Sequence, residues 1–256
     1  MALKNHEFVT TKMTTIYTDI LKAKAKNEKL LAILLDPDKI VWNTLEDLIS
    51  KINQSPATHI FIGGSLVETT ILDELIVRLK QKISLPIVLF PGNPSQISAE
   101  ADAILFLSLI SGRNPDYLIE HQVNAVPILK KTNLEIISTG YILIESGSET
   151  AVERVSKTKP LDRNNINYVV QTAQAGEMSG NKLIYLEAGS GAKKAVPLEM
   201  IKKTAENLAI PLVVGGGIIA LQGIENAYAA GADIVVIGTA FEKDINFFNP
   251  NTTTND

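Results

Sequence analysis

The 256-residue chain has no cysteine, which removes disulfide bridging and thiolate chemistry and agrees with a cytoplasmic setting. It has no excess of basic residues either. With 24 Lys and Arg against 28 Asp and Glu, its net charge of −4 argues against a nucleic-acid partner, which normally meets a basic surface. Long apolar runs are also missing: the longest, Leu30 to Leu35, is far below the about 20 residues that cross a bilayer. The stretch from Met1 to Met13 carries Lys4, His6, Glu7 and Lys12 and no apolar signal core. What remains, 45% apolar and 20% charged residues, is the composition of a globular chain with a large core.

Against these absences stand two glycine-bearing strand ends near the C-terminus, Pro211-Leu-Val-Val-Gly-Gly-Gly217 and Asp233-Ile-Val-Val-Ile-Gly238-Thr239. Each is a short β-branched run suited to a buried parallel strand, ending in residues too small to hinder approach of a ligand to the backbone. Their spacing matches the loops after the last two strands of a β/α barrel, where phosphate is commonly held on backbone N–H groups. The expected ligand is a phosphorylated small molecule.

Apolar runs between turn residues predict eight strands: Leu30–Leu35, His59–Ile62, Pro86–Phe90, Ala103–Leu109, Glu135–Leu143, Lys182–Leu186, Leu212–Val214 and Asp233–Ile237. Helical patterns lie between most of them, at Val67–Lys82, Asn164–Met178, Pro197–Leu208 and Leu221–Ala230, with Pro197 at a first helical position. Thr14–Glu28 reads as an extra helix ahead of the first strand, with Ile16, Ile20 and Leu21 facing inward. The stretch Phe90 to Ser98 is too short for a full helix before the fourth strand, so one side of the wall should be open. The expected fold is a single (β/α)8 TIM barrel over residues 30–248, with a helical extension at 1–29 and a polar tail at 249–256. A doubly wound open sheet is the structural alternative.

The polar and small residues gather at strand C-termini, where a barrel keeps its active site. Asp36-Pro-Asp38-Lys39 places two carboxylates at the first strand tip, hard oxygen ligands suited to a Mg²⁺ ion that also holds phosphates. The same tetrapeptide is ordinary turn chemistry, with Asp38 capping the next helix. Gly63-Gly64-Ser65 could offer a hydroxyl to a metal or diphosphate, or Ser65 could cap a helix with Glu68. Tyr185-Leu186-Glu187-Ala188-Gly189-Ser190-Gly191 is a poor helix start and a good anion loop, with Glu187 placed to accept a hydrogen bond or a proton from a substrate hydroxyl. Tyr141 reads as a core residue with a satisfied hydroxyl, and His6, His59 and His121 as structural.

In order along the chain, Leu-Leu-Asp36-Pro-Asp38-Lys, Gly63-Gly-Ser65, Phe90-Pro-Gly-Asn-Pro94, Thr139-Gly-Tyr141, Tyr185 through Gly191, Val214-Gly-Gly-Gly217 and Ile237-Gly-Thr239 resemble the geranylgeranylglyceryl phosphate synthases, a family that includes bacterial heptaprenylglyceryl phosphate synthases. The resemblance covers about Leu30 to Lys243. It implies a barrel whose third helix is replaced by a loop, and transfer of a prenyl group, geranylgeranyl by the family name, from its diphosphate to the 3-hydroxyl of sn-glycerol 1-phosphate. It further implies Mg²⁺ on Asp36 and Ser65, with Tyr185, Leu186, Glu187, Ala188, Gly189, Ser190, Gly191, Gly216, Gly217, Gly238 and Thr239 holding glycerol phosphate and Glu187 also catalytic. Homodimers or homohexamers and transient membrane contact for product release belong to the same implication. One branch of the family has a basic residue two positions before the first aspartate. Leu34 stands there in this chain, which therefore resembles the other branch and leaves Lys39 as a candidate phosphate partner. The alternatives are a phosphate-barrel isomerase or lyase of the histidine, tryptophan or thiamin pathways, and a ligand-sensing barrel without catalysis.

Overall fold

The computed structural model of the protein describes residues 15–64 and 69–249. Eight parallel strands, β1 (Leu30–Leu35), β2 (His59–Ile62), β3 (Ile87–Leu89), β4 (Ala103–Leu109), β5 (Glu135–Leu143), β6 (Leu183–Glu187), β7 (Leu212–Gly215) and β8 (Ile234–Ile237), succeed one another around a closed barrel. The ring closes where β1 pairs with β8, Ala32 opposite Val236. The strands are mostly apolar because both faces are covered, with Ser138 and Thr139 in β5 the main departure, and their residues alternate between interior and helix-facing sides. Ala32, Phe61, Val88, Leu105, Tyr185 and Val213 fill the interior, while Ile33, Ile60, Ile62, Leu186 and Val214 pack outward beneath the helices.

The helical ring comprises α2 (Leu45–Gln54), α3 (Thr69–Lys80), α4 (His121–Leu129), α5 (Ala151–Ser156), α6 (Ile166–Met178), α7 (Leu198–Glu206), α8 (Leu221–Ala229) and α9 (Thr239–Lys243). A π-helical turn, Asp116–Glu120, leads into α4. No helix separates β3 from β4, so the barrel is modified as expected, its third helix replaced by a loop over 90–102. Packing forces part of that loop inward: a Cβ on Gly63 would run into the carbonyl of Phe90, so only glycine lets the β2 and β3 tips lie side by side.

The extra helix α1 (Ile16–Ala25) plugs the lower mouth. Thr15 caps it, and Glu135 at the start of β5 accepts its first N–H groups, from Ile16 at 2.7 Å and Tyr17 at 3.1 Å. Ile20 enters the barrel interior, as expected, but Leu21 faces solvent and Ala23 is buried in its stead. Two further details differ from the sequence reading. Pro197 is the N-cap of α7 with extended ψ, not its first helical residue. Pro86, Phe90, Lys182 and Asp233 lie one residue beyond the strands proper, although each still makes a backbone hydrogen bond to the neighbouring strand, and the Asp233 side chain also accepts from Leu212 below β7.

Candidate active site

One cavity of about 700 Å³ opens at the C-terminal ends of the strands. Asp36, Tyr185, Glu187, Gly189, Ser190, Gly191, Gly216, Gly217, Gly238 and Thr239 all line it, so the acidic β1 tip and the glycine loops after β6, β7 and β8 share one space. Leu186 and Ala188, expected among the glycerol phosphate residues, do not line it. Strand alternation turns their side chains into the outer core. Ser65, expected as a metal ligand, lies outside the described residues, as does Glu68.

Glu187, at the end of β6, is only 6% exposed. Its Oε1 accepts the Gly189 N–H at 2.7 Å. Burial pushes its pKa up to about 7, an effect partly offset by the Tyr185 hydroxyl and the Gly189 N–H, which favour the carboxylate. Gly216 makes this geometry possible. It sits at φ +80°, and a Cβ there would strike Glu187 Oε1 and lie 2.7 Å from the Gly189 nitrogen. The Gly189 and Gly216 loops thus grip the carboxylate from two sides. Ser190 and Thr239 hydroxyls meet at 3.2 Å and join the β6 loop to the β8 loop. No side chain caps the start of α9, and a Cβ on Gly238 would make only ordinary contact with Leu34 at 3.5 Å.

One layer below Glu187, toward the middle of the barrel, lie three aromatic rings. Phe90 stacks on Tyr185 with centroids 5.5 Å apart, and Tyr141 meets Tyr185 edge-on at 5.3 Å. Burial, and then the Glu187 charge, keeps both phenols well above their ordinary pKa, so they remain protonated. The Tyr185 hydroxyl is buried beside the carboxylate but not aligned with it, and has no hydrogen-bond partner among the described residues. Tyr141 is buried as expected, yet its ring belongs to the cavity wall instead of a closed core. Beyond the rings the cavity turns apolar along β4 and α4, past Leu105, Leu107, Leu109 and Ala125. His121, expected to be structural, lines this part and packs edge-on against Tyr117 at 4.5 Å. His59 sits at the opposite end of its strand, buried and bonded to Thr58 at 2.8 Å, with its pKa lowered to about 4 mainly by burial.

The β1 tip is a 3-10 turn, Pro37–Lys39, capped by Asp36 and not Asp38: Asp36 Oδ1 accepts the Asp38 N–H at 3.2 Å. Asp36 Oδ2 lies 3.1 Å from Lys39 Nζ, which is also 3.0 Å from Glu242 Oε2 on α9. Partial burial alone would lower the Lys39 pKa, but Glu242 and then Asp36 outweigh it and raise it. Among the described residues no three His, Asp or Glu side chains are grouped to cage a metal. Asp36, engaged by Lys39 but not caged, fits one carboxylate ligand of an Mg²⁺ that would complete its shell with phosphate oxygens and water. Glu242, His121 and Gln122 line the cavity without having been anticipated from sequence. For Glu242 alone a signal existed, one helical turn after Thr239.

A barrel whose glycine loops, buried carboxylate and apolar extension share one cavity defines a class: TIM barrels with room for a substrate that is part polar and part apolar. Residues 22–251 match the PcrB family, and the chain belongs to it. It is 71% identical to the geranylgeranylglyceryl phosphate synthase of Flavobacterium johnsoniae, covering 93% of this chain and 98% of that protein. It superposes with a TM-score of 0.86 on the crystal structure of (S)-3-O-geranylgeranylglyceryl phosphate synthase from Thermoplasma acidophilum in complex with its substrate sn-glycerol-1-phosphate, at 32% identity, covering 92% of this chain and 95% of that one. A tryptophan synthase α-subunit from Pyrococcus furiosus, at TM-score 0.57 and 14% identity over 84% of this chain and 88% of its own, shares the barrel fold alone.

Proposed function

We propose that the protein is a prenyltransferase that joins the prenyl group of geranylgeranyl diphosphate to the 3-hydroxyl of sn-glycerol 1-phosphate, forming an ether and releasing diphosphate. The observation that carries this reading is the position of Glu187, buried where the polar glycine cradle meets the apolar length of a single cavity. The similar synthases supply the substrate class.

In this reading the phosphate of glycerol phosphate rests on the loops after β6, β7 and β8, with Ser190 and Thr239 beside the Gly189, Gly216, Gly217 and Gly238 backbone. Its 3-hydroxyl then faces Glu187. A carboxylate with a pKa of about 7 is a stronger base than an exposed one and is still ionised in part near neutral pH. The prenyl C1–oxygen bond to diphosphate breaks, the glycerol 3-oxygen bonds to C1, and Glu187 takes the hydroxyl proton. Phe90, Tyr141 and Tyr185 floor this point and keep water from reaching the allylic carbon from below. The prenyl chain lies along β4 and α4, where no helix after β3 crowds it.

Asp36 would hold Mg²⁺, with Ser65 as the second candidate ligand; when bound, the ion neutralises charge on the departing diphosphate. The test is one incubation of radiolabelled sn-glycerol 1-phosphate with prenyl diphosphates of several lengths and Mg²⁺, then butanol extraction. Label in the organic phase with the geranylgeranyl donor supports the reading. Binding of both substrates without label transfer overturns it in favour of a sensor.

A further inference from the structure

Glu242 lines the cavity and has no task in the proposed prenyl transfer. We infer that it is the positioning residue for the cation that meets the diphosphate: Glu242 holds Lys39 at the cavity rim, so that the ammonium stays over the diphosphate when Asp36 turns to the divalent ion. This rests on the transferase reading and deepens it.

Three facts carry the inference. Lys39 Nζ is shared almost equally, at 3.1 Å from Asp36 and 3.0 Å from Glu242. The lysine side chain is 50% exposed, while the carboxylates that hold it are only 18% and 17% exposed, so the fixed partners are the acids and the movable one is the base. Of the two Asp36 oxygens, Oδ1 already accepts the Asp38 N–H and Oδ2 faces the lysine. A metal ion taking Asp36 would draw on the same carboxylate, and its charge would weaken the hold of Asp36 on the Lys39 ammonium. A lysine with no second partner would lose its fixed position, because its long side chain gains rotamer freedom on release. Glu242 removes that choice. Its backbone N–H bonds Gly238 O at 3.0 Å, so it rides on the turn that carries the β8 glycine loop. The β1 metal corner and the β8 cradle are thereby tied by one side chain.

The test is calorimetric titration of inorganic diphosphate with Mg²⁺ into protein saturated with sn-glycerol 1-phosphate, which blocks the cradle. Wild type is compared with Glu242→Gln, Lys39→Met and the double variant. Glu242→Gln should weaken diphosphate about tenfold, as for one misaligned charge-assisted bond, and leave glycerol phosphate affinity within about twofold. In the Lys39→Met background the Glu242→Gln effect should vanish, because Glu242 acts through the lysine. Lys39→Arg should restore part of the binding. Additive losses, or a loss of glycerol phosphate affinity equal to that of diphosphate, overturn the inference. If Glu242→Gln lowers the unfolding midpoint, the same cycle with Glu242→Asp decides. Absence of prenyl transfer in wild type with intact diphosphate coupling would sink the transferase reading and with it the role of Glu242 in transfer, leaving only a coupled diphosphate site; active wild type with additive variants would sink this inference alone.

Discussion

The two ends of this barrel use the same chemistry in opposite ways. At the lower end, three carboxylates are bound to backbone. Glu135 accepts two N–H groups of α1, Asp102 accepts the Ile87 N–H at 2.8 Å, and Asp233 accepts the Leu212 N–H at 2.8 Å with Lys24 at 2.9 Å. Each closes a strand start or a helix start and has little left to offer a ligand. At the upper end Glu187 has one backbone N–H, the Tyr185 hydroxyl has no partner among the described residues, and Asp36 is shared with a half-exposed lysine. The lower carboxylates are committed to backbone, whereas the upper end keeps a buried Tyr185 hydroxyl without a partner among the described residues and an Asp36 held by a movable lysine. Unspent hydrogen-bonding capacity in a buried place costs stability, and in an enzyme that cost is found where a ligand supplies the missing partner.

The comparison breaks most readily at Glu187. Glu187→Gln should lower turnover by about 10²–10⁴-fold, the range of a lost general base, with glycerol phosphate affinity nearly unchanged. Equal loss of both, in steady-state kinetics, would reassign the residue to binding. The same substitution should stabilise the protein above neutral pH. Because the folded pKa is raised, the folded state holds the proton more tightly, and stability falls as pH rises from the ordinary carboxylate range through about 7. Urea unfolding at pH 8 should show Glu187→Gln gaining on the order of 3 kcal/mol over wild type, and almost nothing at pH 4. Wild-type kcat should rise with pH through the same interval.

Asp36→Asn comes next, with activity down about 10²-fold and the response to added Mg²⁺ abolished together. A retained metal response in the residual activity would move the ion elsewhere. At the lower end Asp233→Ala should destabilise by about 2–3 kcal/mol, since it orphans a buried N–H and Lys24, while kcat stays at the wild-type value. A fall in kcat without loss of stability would erase the contrast between the ends. The smallest stability effect belongs to Gly238→Ala. The fold has room for that methyl, so the unfolding midpoint should stay put while the KM for glycerol phosphate rises about tenfold. Gly216→Ala, whose methyl would press on Glu187 and Gly189, should lose stability and activity together.

Much of the scaffold was legible from apolar runs. β1, β2, β4 and β5 begin and end where the sequence predicts, because each is a largely apolar run whose ends are marked by polar or turn-forming residues. The opened wall after β3 was visible as a spacing too short for a helix. The site's strand-tip residues were legible for the same reason, since in a parallel barrel all strand C-termini meet at one rim. Helix-borne residues were not. His121 and Gln122 reach the cavity because the π-helical turn and α4 lie across β4, a stretch over which the sequence predicts no helix. Leu186 and Ala188 belong to the same contiguous motif as Glu187, but strand alternation turns their side chains outward, so any part they take is through backbone.

Sequence alone determined the order of strands, the small residues at their tips and the presence of an acid beside a glycine loop, because these depend on local size, periodicity and turn chemistry. Only the closed barrel decided that Glu187 is buried against Gly216, that Lys39 is divided between Asp36 and Glu242, and that the lower carboxylates are spent on backbone. Burial and charge pairing are set by neighbours distant in the chain, and no reading of one segment contains them.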